Sequence, residues 1–185
     1  MCGRYWIDPE ESAELAQIIA ELQRCENVKT GGEIFPGDSV PVLCRSRAGN
    51  VRPFGMEWGY RMAGGKRLIN ARSETAAEKP MFRESMVSRR CILPMSAYFE
   101  WEARPEGRQK YRIAPEGEGL CYLAGLYRFE GEKPVCTVLT TAAAPDIAFI
   151  HHRMPVLLRA GETEAWLGGA DPCFTGRIPL CWQEV

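Results

Sequence analysis

The chain has 185 residues, 45% of them apolar and 10% aromatic, which is enough to bury one sizeable core, so residues 1–185 are read as a single domain. Its 23 lysines and arginines are offset by 24 aspartates and glutamates; the net charge of -1 excludes a broadly basic nucleic-acid coat and leaves any anionic partner to a local basic patch. No apolar run is long enough to cross a bilayer and no basic start precedes an apolar h-region, so the expectation is a cytoplasmic protein with no membrane partner.

In chain order, Gly3 to Ile7 reads as a strand that ties the N-terminus down. Asp8-Pro9-Glu10-Glu11 follows as a helix start, with Asp8 as cap, Pro9 at the first position and Glu11 closing a capping box. Leu15, Ile18, Ile19 and Leu22 have helical spacing and predict one amphipathic helix ending near Arg24. Thr30-Gly31-Gly32 and Ile34-Phe35-Pro36-Gly37 read as loop and turn. From Ser39 the pattern changes to short β runs: Val40 to Cys44, Val51 to Tyr60, Cys91 to Trp101, Tyr111 to Ile113, Leu120 to Phe129 and Val135 to Thr140. Short helices are expected over Ser73 to Glu78, Met81 to Val87 and Thr163 to Leu167. The class is therefore α+β, with largely antiparallel strands dominating.

Eight cysteines are scattered at positions 2, 25, 44, 91, 121, 136, 173 and 181, several of them inside apolar β runs, and most are read as reduced core residues. No Cys-x-x-Cys pair exists and the two histidines are adjacent, so no metal and no cofactor are expected.

Cys2 is the residue singled out for reactivity. A small second residue favours removal of Met1, and the mature chain would then begin with an amine and a thiol on one residue. In model compounds these groups titrate near ~8 and ~8.5, so both are partly nucleophilic at neutral pH. The amine can form a Schiff base with an aldehyde and the thiol can then close a thiazolidine; alternatively the thiol can attack an acyl carbon with the amine as base.

Met1-Cys2-Gly3-Arg4, Trp58-Gly59-Tyr60, Asn70-Ala71-Arg72-Ser73-Glu74-Thr75, Phe99-Glu100-Trp101, Ala124-Gly125-Leu126-Tyr127 and His151-His152-Arg153-Met154-Pro155 occur in the order seen in the SOS response-associated peptidase family, which the chain resembles from residue 2 to about 158. The resemblance implies a compact fold of twisted, mainly antiparallel β-sheets around a barrel-like core with short flanking helices. It also implies a partner, single-stranded DNA with abasic sites, captured as a thiazolidine on the N-terminal cysteine, with associated lyase and self-processing chemistry, and association with the nucleoid when DNA is bound.

By that resemblance Cys2, Asn70, Glu100 and His151 are the catalytic set. Glu100 would be the acid/base residue beside the Cys2 amine, its carboxyl raised by flanking aromatics; on spacing alone it is equally a solvated strand carboxylate. His151 would pass a proton to the sugar oxygen; standing alone it would read as a surface histidine. Asn70 would donate to an oxygen or sulfur without taking a charge, or else cap a turn or helix. Arg4, Arg72 and Arg153 are read as phosphate contacts, each otherwise a salt-bridge arginine. Trp58 and Trp101 are read as stacking surfaces for bases or as core residues, and Pro36 belongs to a Pro-Gly turn near the DNA. Two residues depart from the family pattern: His152 stands at a position usually acidic, and Glu33 where asparagine is common. Two other readings remain: an N-terminal-nucleophile peptidase or amidohydrolase working through Cys2, and a non-covalent DNA-binding module.

Overall fold

The computed structural model describes residues 2–22, 27–117, 120–170 and 178–185. Its strands and helices in chain order are β1 (Arg4–Ile7), α1 (Ala13–Leu22), β2 (Gly32–Ile34), β3 (Ser39–Arg45), β4 (Val51–Trp58), β5 (Tyr60–Arg61), β6 (Arg67–Leu68) and β7 (Asn70–Arg72). Then come α2 (Ser73–Ala76), α3 (Pro80–Ser88), β8 (Arg90–Met95), β9 (Ala97–Arg104), β10 (Gly107–Pro115), β11 (Cys121–Glu130), β12 (Lys133–Ala142), β13 (Arg153–Pro155), β14 (Leu157–Arg159), α4 (Thr163–Leu167) and β15 (Leu180–Glu184).

Five of these strands close on themselves. β12 pairs with β4, β4 with β3, β3 with β8, β8 with β11, and β11 returns to β12, giving a barrel with no free edge in the ring. Every pairing in that ring is antiparallel except β12–β4, which is parallel and holds only Val135 opposite Glu57 and Cys136 opposite Trp58. A second, five-stranded sheet runs β15-β10-β9-β1-β2. The mainly antiparallel α+β architecture expected from the sequence is the observed one.

The strand runs were legible but not their ends. Val51 to Tyr60 divides at Gly59, whose φ of +114° a side chain would resist, and Cys91 to Trp101 divides at Ser96, where the chain leaves the barrel for the second sheet. Ser96 fixes that passage: its N–H donates to Trp6 O at 2.9 Å and its hydroxyl accepts from Asp8 N at 3.0 Å. The helix start at Asp8 is a short 3₁₀ turn over Pro9–Glu11, in which Asp8 Oδ1 accepts from Glu10 N at 3.0 Å. Glu11 does not close a capping box; it pairs with Arg112 at 3.3 Å, and α1 begins only after Ser12. The stripe Leu15, Ile18, Ile19 and Leu22 is buried against β3 and β4 as its spacing required, worth about 1.5–3 kcal/mol per side chain. The expected end of that helix near Arg24 lies outside the described residues, as do Cys25 and Cys173. Among the described residues Cys2, Cys44, Cys91, Cys121 and Cys136 are free and buried, and Cys181 is free and exposed. No helix there is long and apolar enough to cross a membrane.

β11 is buried along six consecutive residues, and Gly125 at its centre is required by space. A Cβ there would lie 2.8 Å from Leu93 Cδ1, 3.0 Å from Thr137 O and 3.1 Å from Cys91 Sγ. Gly125→Ala is expected to cost about 1–3 kcal/mol by overpacking. Gly131, at φ +65° with open space around it, should cost about 1 kcal/mol as alanine through backbone strain alone. Urea unfolding of both variants measures the difference; a smaller cost at Gly125 than at Gly131 would contradict the packing argument.

Candidate active site

The N-terminus is carried into the protein by strand pairing. β1 lies between β2 and β9, with Arg4 opposite Phe99, Tyr5 opposite Tyr98 and Trp6 opposite Ala97. Running that register on beyond Arg4 brings Cys2 alongside Glu100 and Trp101. Cys2 is fully buried, and Asn70 Nδ2 donates to its carbonyl oxygen at 2.9 Å. Asn70 is set by β7, which runs parallel to β12 with Asn70 opposite Val138, so it is a strand residue and not a cap. Its Nδ2 is committed to the Cys2 carbonyl, while its buried Oδ1 accepts no hydrogen bond from the described residues. Burial pushes the Cys2 thiol well above the usual range, and the negative charge of Glu100 pushes it further.

Glu100 is 3% exposed. Burial raises its carboxyl, and this outweighs the Trp101 backbone hydrogen bond and the nearby charges that pull it down. The expected alternation along β9 holds: Lys110 Nζ lies over both Phe99 and Trp101, at 4.0 and 5.7 Å from their centroids, on the face away from Glu100. Of the flanking aromatics, Phe99 and Trp101 therefore do not desolvate Glu100. Tyr98, two residues away on its own strand, and Tyr111, directly opposite on β10, share its face and are buried.

His151 precedes β13, which pairs with β12 along the edge opposite to the one taken by β7, Thr140 being matched to Pro155 on one side and to Arg72 on the other. Its Nδ1 lies 2.9 Å from the Arg153 backbone nitrogen and 3.1 Å from the Arg153 carbonyl oxygen, so the Arg153 backbone fixes the ring in either tautomer. Burial lowers its pKa, and the ring stacks on His152 at 4.4 Å. A line of contacts ties this segment to Asn70: Arg153 Nη2 donates to Thr140 O at 2.6 Å, and the Thr140 hydroxyl donates to Ala71 O at 3.4 Å.

The six residues expected to touch DNA are divided. Trp58 is fully buried, donates from Nε1 to Ile69 O at 3.1 Å and meets Tyr5 edge-to-face at 5.3 Å, so it is a core residue and the stacking expectation for it does not hold. Arg153 is held in a two-point pair with Glu74, 2.6 Å from Nη1 to Oε1 and 2.8 Å from Nη2 to Oε2. Arg72 is exposed at the mouth of an open groove of about 640 Å³ that starts at Asn70 and runs between Thr75, Lys79 and Phe82. Pro36 and Gly37 form a tight turn, closed by Asp38 N–H to Phe35 O at 3.0 Å, with Gly37 at φ +97°. Arg4 and Trp101 belong to one cluster, the guanidinium lying 5.1 Å from the indole centroid and 4.7 Å from Phe35. Phe35, Lys110 and the pairing of Glu33 with Arg4 had no local signal; they meet only through the β2–β1–β9–β10 register. Among the described residues no group of histidines, cysteines and carboxylates could hold a metal ion.

A family model described as SOS response associated peptidase matches residues 1–174. The abasic site processing protein YoqW of Bacillus subtilis is 39% identical over 94% of this chain and 84% of its own length. The abasic site processing protein YedK of Escherichia coli is 28% identical over 90% of this chain and 79% of its own. A crystallised protein from Bacteroides thetaiotaomicron superposes with a TM-score of 0.76 at 22% identity, covering 100% of this chain and 92% of that one, a likeness of fold.

The Glu74–Arg153 pair has a pH signature. Hydrogen bonds from Arg153 hold the Glu74 carboxyl down at about 2, against about 4.3 for an unfolded glutamate. The depressed value means that its stabilisation is present above pH ~4.3 and is lost as pH falls through that window toward 2. The side chain is 46% exposed, so solvent screens the gain. Urea unfolding of native protein and Glu74→Gln should show stabilities that converge as pH is lowered through this range; parallel curves would refute the pair's contribution.

Proposed function

We propose that this chain, which belongs to the SOS response associated peptidase family, processes abasic sites in single-stranded DNA by capturing the ring-opened sugar on Cys2 once Met1 is removed. The observation that carries this reading is the buried Cys2 whose carbonyl is held by Asn70 and whose thiol feels the charge of Glu100. YoqW and YedK are both abasic site processing proteins, which supports the same substrate here.

The order of steps follows from the electrostatics. With the thiol kept protonated by burial, the amine is the first nucleophile: it adds to the aldehyde carbon, and loss of one water gives the imine. The sulfur then adds to the imine carbon, the thiol proton passing to nitrogen, and the thiazolidine ring closes with no further leaving group. A carboxyl with a raised pKa can take the ammonium proton and return it to the departing water, which is the role assigned to Glu100. His151, its pKa lowered by burial, is the group assigned to pass a proton to the sugar oxygen. Asn70 holds the Cys2 carbonyl, and with it the amine, in one orientation, while its open Oδ1 is an acceptor for the amine's N–H. The same imine would allow lyase cleavage, and the same cleft would remove residues ahead of Cys2. The peptidase or amidohydrolase reading asks for a thiolate nucleophile, which the raised thiol pKa disfavours. Arg72, Trp101 and the Pro36 turn are the proposed DNA contacts, with Arg4 and Arg153 available where a phosphate replaces their present partners. The protein would act in the cytoplasm, on the nucleoid when DNA is bound.

The test uses a single-stranded oligonucleotide with one abasic site and a denaturing gel. Native protein is expected to give a heat-stable adduct, Cys2→Ala none, and Cys2→Ser only an imine trapped by borohydride. Glu100→Gln should slow capture by about 100-fold, the usual scale for a lost general acid/base. A stable adduct from Cys2→Ala, or Met1 found by intact mass on the crosslinking species, would refute the reading.

A further inference from the structure

Three cations and three rings alternate along the surface formed by β2, β1, β9 and β10. Lys29 Nζ lies 5.0 Å from the Phe35 centroid, the Arg4 guanidinium 4.7 Å from Phe35 and 5.1 Å from Trp101, and Lys110 Nζ 5.7 Å from Trp101 and 4.0 Å from Phe99. The order is built by register, with Arg4 opposite Phe99 and Lys110 opposite Trp101. Such a ladder, beside a residue that captures a DNA sugar, is a site for the phosphates of a strand.

One carboxylate serves two of its cations. Glu33 Oε1 accepts from Lys110 Nζ at 2.8 Å and from Arg4 Nη1 at 3.2 Å, and these are the Glu33 side-chain bonds among the described residues. Asp38, which pairs with Lys29 at 2.8 Å, differs: its carboxylate also accepts the Phe35 N–H at 2.9 Å and so has work in the turn. Glu33 has no backbone partner of that kind. Burial alone would raise its carboxyl, but the bonds from Lys110 and Arg4 outweigh burial and hold it below the usual range, so it stays charged wherever DNA is bound. Its side chain remains 23% exposed and those of Arg4 and Lys110 38% and 24%, so all three are open to exchange with an anion from solution.

We propose that Glu33 is a built-in competitor of DNA phosphates that occupies Arg4 and Lys110, keeps the grip on intact single strands weak, and so leaves selection of damaged DNA to covalent capture. A phosphate arriving at the ladder exchanges one ion pair for another and gains little. Backbone affinity is common to intact and abasic strands and cannot discriminate between them; strengthening it would hold the protein on undamaged DNA. Glu33 is thus a specificity-determining residue of the capture reaction, an inference that rests on the function proposed above.

The experiment is fluorescence anisotropy of a labelled, intact oligothymidylate with native protein and Glu33→Gln over a series of salt concentrations. Glu33→Gln should bind about fivefold to tenfold more tightly near ~0.1 M salt, and its plot of log K against log salt should steepen by roughly 0.7 for each phosphate newly paired. Glu33→Ala, which removes the carboxylate in another way, should do the same, and the gain should shrink in Glu33→Gln/Lys110→Gln, where only Arg4 is released. With an abasic strand, the change should fall on the half-saturating concentration and not on the maximal capture rate, and excess intact strand should inhibit Glu33→Gln more than native protein. Unchanged or weaker binding in both folded variants, or a gain undiminished by loss of Lys110, would overturn the proposal. Failure of native protein to crosslink would instead sink the proposed function, and the intact-strand measurement would still decide the role of Glu33.

Discussion

The site depends on one strand pairing. β1 is only four residues long, yet it is bonded on both edges, to β2 and to β9, and its start is thereby driven into the protein instead of fraying in solvent. Everything asked of Cys2 follows from that constraint. The bond from Asn70 then fixes the residue's own carbonyl, so the terminus is held from a second direction by a strand, β7, that belongs to the barrel system. An amine on a free-swinging chain end would have to be oriented anew in each encounter; one held at its carbonyl has already given up that freedom.

Burial has opposite chemical consequences on the two sides of β9. On the Glu100 side, Cys2, Glu100 and His151 are each moved toward their neutral forms, which suits proton exchange during imine formation. On the Trp101 side, Arg4, Lys29 and Lys110 each lie over a ring and are each answered by a carboxylate. The period of two along a strand is what lets one segment, Tyr98 to Glu102, serve a low-dielectric cleft and a charged surface at once.

Much of this was legible in the sequence because it is local. The buried stripe of α1, the Pro36-Gly37 turn, the β runs and the alternation around Glu100 all follow from residue type and spacing within a few positions. What was not legible is register. Tyr111 to Ile113 reads as a fragment, yet β10 runs nine residues and brings Lys110 to Trp101 and Tyr111 to Glu100, pairings fixed by where the hairpin turns. The choice between base stacking and the core for Trp58 stays open in the sequence for the same reason: only closure of the barrel at Cys136 shows that its ring is enclosed. Arg153 looks like a free cation until Glu74, far away in sequence, is found against it.

The barrel's closing seam has a consequence for how the molecule comes apart. β12 and β4 share two residue pairs, reinforced by Gly59 N–H to Cys136 O at 2.8 Å, whereas the other contacts around the ring are longer or antiparallel ladders. Thermal fluctuations should unzip the cylinder along this short parallel joint first, and amide protons of Trp58 and Gly59 should exchange with solvent before those deep in β11. Because β12 also carries β7 and β13, such breathing would reach Asn70 and His151 together while leaving β1 clasped to β9.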